Sequence, residues 1–374
     1  MTLDEIRKKI DEIDAQLLPL FLARMECAKE VAAIKKRENI PVFNPKREQE
    51  ILDCVEKESG EYGGEVRILY SNMMDMSRAL QHAMLGSGAE LRAQIAAAGT
   101  VPKKAGKVAC LGEIGSFSHE ALIGLYPKTE PQFYPTFSEI FAAVENGSAD
   151  LGLLPVENSS AGSVSEVYDL ILKYRFHIIA AATLHVHDCL AAAKRVDAHS
   201  IGTVYSHPQA LAQCSEYIKA HDLRPLPCSS TATAAQSIAQ RQEAGIAAIC
   251  SEHAARKYGL SIIESNIQNN TNNCTRFIVI SRVLLIPEDA QKISLCFSLP
   301  HKTGSLYGVL ARFAAAGLNL TKIESRPIAG KTFEYDFYLD FTGNVREERT
   351  LNLILSLCSE LPRFSFLGNY TEQE

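Results

Sequence analysis

The residues best suited to chemistry fall in two sets. In the first, residues 269–280 (NNTNNCTRFIVI), a polar Asn/Thr run ends in Cys274, Thr275, Arg276 and Phe277 and then becomes β-branched. That pattern delivers a hydroxyl, a guanidinium and an aromatic ring to the start of a strand, where a rigid scaffold can hold a reactive group. Taken alone it also reads as a turn entering a strand. The second set lies near the N-terminus. Arg24 sits on an apolar seam, and Lys35 follows eleven residues later on nearly the same helical face. A cation on such a seam is costly unless something anionic meets it. Arg47 and Glu48 follow a turn at Asn44-Pro45, and Ser77 and Gln81 stand four apart, on one face of a further helix. Together they form a constellation of cations and neutral donors suited to an anion.

Three kinds of element must position these groups. Over residues 3–36, Ile6, Ile10, Ile13, Leu17, Leu20, Val31 and Ile34 alternate at spacings of three and four, with Arg24 and Cys27 in the remaining seam positions. That is the mark of a long helix packed against other helices. Pro19 inside it is expected to cost about 3 kcal/mol or to force a kink between Arg7 and Arg24. A second helix opens around Asn44-Pro45 and a third covers roughly 65–85. Residues 87–106, rich in Gly, Ala and Lys, read as a linker with a helical turn around 89–98.

From residue 107 short apolar runs at 108–111, 151–156, 176–183, 200–204 and 245–249 alternate with helical segments, predicting βαβ units and largely parallel sheets. Polar loops leave the strand ends, as expected where an α/β sheet binds ligand. They are 112–118, 155–163 with Glu157, Asn158, Ser159 and Ser160, 206–213 with Ser206 and Gln213, and 229–233. The first lacks the spacing and the Lys of a nucleotide loop. Beyond residue 290 the order strand, helix, strand, strand, helix, strand predicts a ferredoxin-like α+β module.

At 374 residues the chain exceeds one ordinary core. Its net charge of -6, with no long basic run, points away from nucleic acid and anionic membranes. Apolar runs are of strand length, too short to span a bilayer. The charged N-terminus is not expected to act as a secretory signal. Ten cysteines without a C-x-x-C pair indicate reduced thiols and a cytoplasmic setting.

These residues carry three resemblances. Residues 3–85 resemble the all-helical chorismate mutase domain, an intertwined dimer, through Arg7, Arg24, Lys35, Arg47, Glu48, Ser77 and Gln81. The resemblance implies that Arg24, with Arg7 of a second chain, holds the two carboxylates of chorismate. Lys35 and Gln81 would donate to the breaking ether oxygen, and Glu48 would accept from the ring hydroxyl. Asn44 stands where that family often has Asp. Residues 107–285 resemble the prephenate dehydratase domain, two α/β lobes similar to periplasmic binding proteins. The resemblance implies that Thr275 assists the leaving hydroxyl, with Asn158, Ser159, Ser206, Gln213, Arg276 and Phe277 binding substrate. Glu113, where that family commonly has Pro, is expected to matter little. Residues 290–374 are similar to ACT regulatory domains through Gly304, Ser305, Leu306, Asn319, Leu320, Glu324, Ser325 and Arg326, which implies a phenylalanine effector site.

The expectation is a multidomain enzyme with a helical domain (1–86), a linker (87–106), a two-lobed α/β domain (107–285) and an ACT-type module (290–374). It is expected to need no cofactor or metal, to assemble as a homodimer or homotetramer, and to turn chorismate into prephenate and then phenylpyruvate under feedback by phenylalanine. The alternatives are a ligand-sensing regulator, or a dehydratase whose mutase is vestigial.

Overall fold

The computed structural model describes residues 1–374 apart from Lys103, Ala329, Thr332 and Glu374. The chain opens with α1 (Leu3–Glu38). Thr2 caps it reciprocally: its hydroxyl accepts from the Glu5 amide, and the Glu5 carboxylate accepts from the Thr2 amide at 2.7 Å. Asp4 and Glu5 in the first turn and Lys35, Lys36 and Arg37 in the last complement the helix dipole. The helix runs through Pro19 without a break; the missing amide costs one internal hydrogen bond but does not end the segment. The apolar seam stays open in the single chain, with Ile10 51% and Leu20 68% exposed. The helices α2 (Pro45–Glu58) and α3 (Gly63–Leu85) follow, the first capped by Asn44, whose side chain accepts from the Arg47 amide at 3.1 Å. The expected linker carries α4 (Ala89–Ala96).

The next segment builds two lobes. Its elements are β1 (Lys107–Leu111), α5 (Phe117–Leu125), β2 (Glu130–Tyr134), α6 (Phe137–Glu145), β3 (Leu151–Asn158), β4 (Gly162–Ser163), α7 (Ser165–Tyr174) and β5 (His177–His185). There follow β6 (Asp188–Ala192), β7 (Thr203–Ser206), α8 (Pro208–Gln213), α9 (Ser215–Ala220), β8 (Arg224–Pro227), α10 (Thr231–Arg241), β9 (Ile246–Ser251), α11 (Glu252–Lys257), β10 (Ser261–Ser265) and β11 (Cys274–Ser281). In the first lobe β2, β1 and β3 are parallel, while β11 runs antiparallel between β3 and β5. In the second, β8, β7 and β9 are parallel, and β6 and β10 are antiparallel. The sheets are therefore mixed rather than largely parallel. The exceptions sit at the two crossings between lobes, β5 into β6 and β10 back into β11, where direct connections replace helical crossovers. Residues 269–273 belong to the second crossing and lead into β11.

The last segment contains β12 (Lys292–Ser298), α12 (Ser305–Ala315), β13 (Leu320–Pro327), β14 (Tyr335–Thr342), α13 (Glu348–Glu360) and β15 (Ser365–Gln373), the expected βαββαβ order. β14 pairs antiparallel with both β12 and β13. Two compact units result. One comprises residues 1–97 with 292–366; the other comprises 98–291 with 367–374. In the first unit α4 packs on α13, with Arg92 donating to Asn352 at 2.8 Å and pairing with Glu348 at 3.1 Å. In the second, β15 lies parallel to β5 through Thr371–Gln373.

Asp188, at the first crossing, is buried, and its Oδ1 has no partner among the described residues. Burial pushes its carboxyl from 3.8 up to about 6. A carboxyl raised in the folded state costs stability once pH exceeds its unfolded value, and the full cost applies above the folded one. From 3.8 to about 6 the cost amounts to about 3 kcal/mol. Asp188→Asn should therefore stabilise the protein by up to about 3 kcal/mol at pH 7, and the gain should vanish near pH 3.5. Denaturant unfolding at the two pH values measures this, and equal stabilities at pH 7 would contradict it.

Candidate active sites

Helix α3 packs against α1 and α2 and brings polar side chains of all three together as a wall. Arg24 Nη1 donates to Ser77 Oγ at 2.8 Å and to the Met73 carbonyl at 3.2 Å. Lys35 Nζ donates to the Val42 carbonyl at 2.5 Å. Burial draws the Lys35 ammonium below its ordinary range; Glu48 opposes this and Arg78 adds to it. Gln81 is buried one turn beyond Ser77, and its amide oxygen has no partner among the described residues. Such an oxygen is relieved only by a donor; toward an acceptor atom of a ligand it is the Gln81 amide nitrogen that can donate.

Two expected members are not in this wall. Arg7 pairs with Asp4 and keeps 65% of its side chain exposed, while Arg47 pairs with Glu50 and keeps 68% exposed. Seventeen residues of helix separate Arg7 from Arg24, about 25 Å at 1.5 Å per residue, too far for both to serve one pocket in one chain. Asn44 is occupied as the α2 cap.

The second candidate lies at the mouth of β11. Asn158, at the end of β3, is the register partner of Thr275. Its amide nitrogen donates to Thr275 Oγ1 at 2.9 Å, to Asn273 Oδ1 at 2.9 Å and to the Cys274 carbonyl at 3.2 Å. The Ser159 hydroxyl accepts from the Cys274 amide at 3.0 Å, and Ser160 donates to Asn273 Oδ1 at 3.3 Å. Between the lobes a cavity of about 410 Å³ is lined by Ser160, Gln209, Gln213, Gln268 and Asn273 among others. Its polar groups are side-chain amides and the Ser160 hydroxyl, beside Ala161 and Ala212; Asn158 and Thr275 do not line it but adjoin it through Asn273.

Three residues expected to bind substrate have other engagements. Ser206 is fully buried at the end of β7, which lies between β8 and β9, and it donates to the Ile249 carbonyl of β9 at 2.6 Å. Phe277 packs in the first-lobe core with Val108, Leu122 and Val279. Arg276 points to the opposite face, where its Nε donates to Glu372 at 2.5 Å and its Nη2 to the Tyr370 hydroxyl at 2.9 Å.

Sequence reasoning missed several groups. The Glu113 carboxylate, in the loop after β1, accepts from Ser230 Oγ at 2.6 Å and from Thr233 Oγ1 across the cleft at the start of α10. It thus ties the two lobes together, in contrast to the small consequence expected of it. His119 on α5 and His253 on α11 meet at 3.1 Å across the same divide. Asn273, almost wholly buried, organises the Ser159–Ser160 turn. Four Asn in five residues, 269–273, were the available signal for it.

In the C-terminal segment Gly304 caps α12 at φ 81°, a left-handed conformation that favours glycine. Ser305 and Leu306 line a cavity of about 690 Å³ with His301, Lys302, Phe333 and Phe337. Ser325 is the register partner of Phe337 and Arg326 that of Asp336, but among the described residues none of β13 lines this cavity, and Asn319 and Leu320 stand at the far end of the strand. Glu324 pairs with Lys322 at 3.4 Å.

The helical cluster of cations and amides and the two-lobed cleft divide the chain, and comparison with known proteins gives the same division. Residues 6–82 match the family described as chorismate mutase type II, and residues 108–283 match prephenate dehydratase. The bifunctional chorismate mutase/prephenate dehydratase of Aquifex aeolicus is 34% identical over 98% of this chain and 97% of its own. That of Escherichia coli K12 is 30% identical over 98% and 96%. Prephenate dehydratase from Arthrobacter aurescens, solved with L-Phe, superposes with a TM-score of 0.64 at 30% identity, covering 71% of this chain and 89% of its own. The chain belongs to the bifunctional chorismate mutase/prephenate dehydratase family.

Proposed function

We propose that the chain rearranges chorismate to prephenate in its helical pocket and converts prephenate to phenylpyruvate in the interlobe cleft, for phenylalanine biosynthesis. The observation that carries this reading is the presence, in one chain, of the Arg24–Lys35–Glu48–Gln81 wall and the Asn158–Thr275 hydrogen bond.

The rearrangement is pericyclic, so fixed charge and geometry do the work. Arg24 holds one carboxylate of chorismate. Lys35 and the Gln81 amide donate to the ether oxygen as its bond breaks, and Glu48 accepts from the ring hydroxyl. Arg7 of a second copy holds the other carboxylate, which accords with its distance from Arg24 and with the open seam on α1. A homodimer or homotetramer follows.

In the cleft, prephenate loses carbon dioxide as the ring carboxylate bond breaks; its electrons enter the ring and expel the hydroxyl, and aromatisation drives the step. Asn158 donates to Thr275 Oγ1, which leaves the Thr275 proton for the departing oxygen and strengthens it as a donor. Thr275 acts as a hydrogen-bond donor, its hydroxyl being too weak an acid for full proton transfer. Supplying chorismate and prephenate separately tests the reading: turnover of prephenate alone would mean a dead mutase.

The C-terminal segment acts as an ACT-type module that binds phenylalanine beside Gly304, Ser305 and Leu306 and restrains the dehydratase. Gly304→Val, forced into a left-handed conformation that β-branched residues avoid, should raise the phenylalanine concentration for half-inhibition at least tenfold. An unchanged half-inhibition would remove the loop from effector binding. A cytoplasmic setting fits the ten free thiols, and among the described residues no helix is long and apolar enough to cross a membrane.

A further inference from the structure

Beside the mutase wall lies a buried ionic cluster to which no role in the reaction has been given. Arg78 follows Ser77 on α3, and its guanidinium spans three carboxylates. Nη1 donates to Glu48, Nη2 to Asp75, and Nε to Glu360 Oε2 at 3.2 Å. The Phe43 ring lies beneath it, 5.1 Å from Cζ. Glu360 is the last residue of α13, in the C-terminal segment of the same compact unit. Arg312 on α12 also donates to Glu360 and reaches Asp75 at 3.4 Å, while His82 Nε2 stands 3.0 Å from Glu360 Oε1.

An anion at a helix C-terminus opposes the helix dipole, so Glu360 is held by these cations rather than by its own helix. Burial pushes its carboxyl up, but His82, Arg312 and Arg78 together bring it down to about 2. It is a fixed anion at any working pH. The guanidinium donors leave in a rigid planar fork. With Nε fixed by Glu360 and Nη2 by Asp75, Nη1 has one direction left, and Glu48 lies in it. That contact takes Glu48 Oε2 and leaves Oε1 for another donor.

We propose that Arg78 is a positioning residue of the mutase site, aimed by Glu360, so that chorismate rearrangement depends on a carboxylate supplied by the C-terminal segment. The proposal rests on the reading of Glu48 as acceptor for the ring hydroxyl. Arg78 does not touch substrate; it sets the carboxylate that does. Loss of either partner lets Glu48 swing, and small misplacements of a substrate-orienting group are costly in rate.

The test uses the full chain. Glu360→Gln keeps shape and removes charge, and Arg78→Lys keeps charge and removes the fork, so each limits the damage to folding. Prephenate turnover and thermal midpoint monitor the fold. Each variant should lower kcat for chorismate about tenfold with KM changed less than threefold, and should add nothing further in a Glu48→Gln background. Losses that add to that of Glu48→Gln would mark a merely structural role and overturn the proposal. Near-normal kcat in both variants, with Glu48→Gln itself crippled, would overturn it and leave the site reading standing. Near-normal turnover in Glu48→Gln would overturn both.

Discussion

Thr275→Val is expected to lower prephenate turnover on the order of 10²–10³-fold, the usual effect of deleting one oriented donor to a developing oxyanion, while chorismate rearrangement is spared. Val is nearly isosteric with Thr and equally at home in a strand, so β11 keeps its pairing with β3 and β5. Asn158 loses one of three acceptors and keeps Asn273 Oδ1 and the Cys274 carbonyl. The loss would thus be confined to the hydroxyl that faces the departing oxygen. Steady-state kinetics with prephenate measure it, and near-normal turnover would remove Thr275 from the mechanism.

The opposite selectivity is expected of Arg24→Ala. Its guanidinium is oriented by the Ser77 hydroxyl and the Met73 carbonyl, two fixed points one turn apart on α3. Removing a charge-assisted, partly desolvated partner of a carboxylate costs about 3–5 kcal/mol, on the order of 10²–10³-fold or more in kcat/KM for chorismate. Prephenate turnover in the other compact unit should be unaffected. Retention of mutase activity within threefold would refute the assignment of the helical pocket.

Local pattern carried much of the fold. The seam spacing gave α1, the Asn44-Pro45 turn gave the start of α2, and the βαββαβ order of the last segment is as expected. Arg24, Lys35, Glu48, Ser77 and Gln81 come together because helical periodicity decides which face each residue occupies. What failed was non-local. Arg276 finds Glu372 and Tyr370 more than ninety residues away, and Arg78 finds Glu360 across 282 positions. No spacing rule foretells such pairs. Phe277 was legible in principle: on a strand that starts at Cys274, residues 277 and 279 share a face, and that face is core. Ser206 has a hydroxyl in a motif-like loop but spends it on a neighbouring strand's carbonyl. Glu113 acquires its partners only when the lobes fold against each other.

The central claim is that one chain performs both steps. The most direct measurement follows phenylpyruvate formed from chorismate by the full-length protein, beside the same assay with Thr275→Val. Phenylpyruvate should accumulate with the unmodified chain, and prephenate should accumulate in its place with the variant. Failure of the unmodified chain to form phenylpyruvate from chorismate, even if it turns over prephenate, would contradict the account.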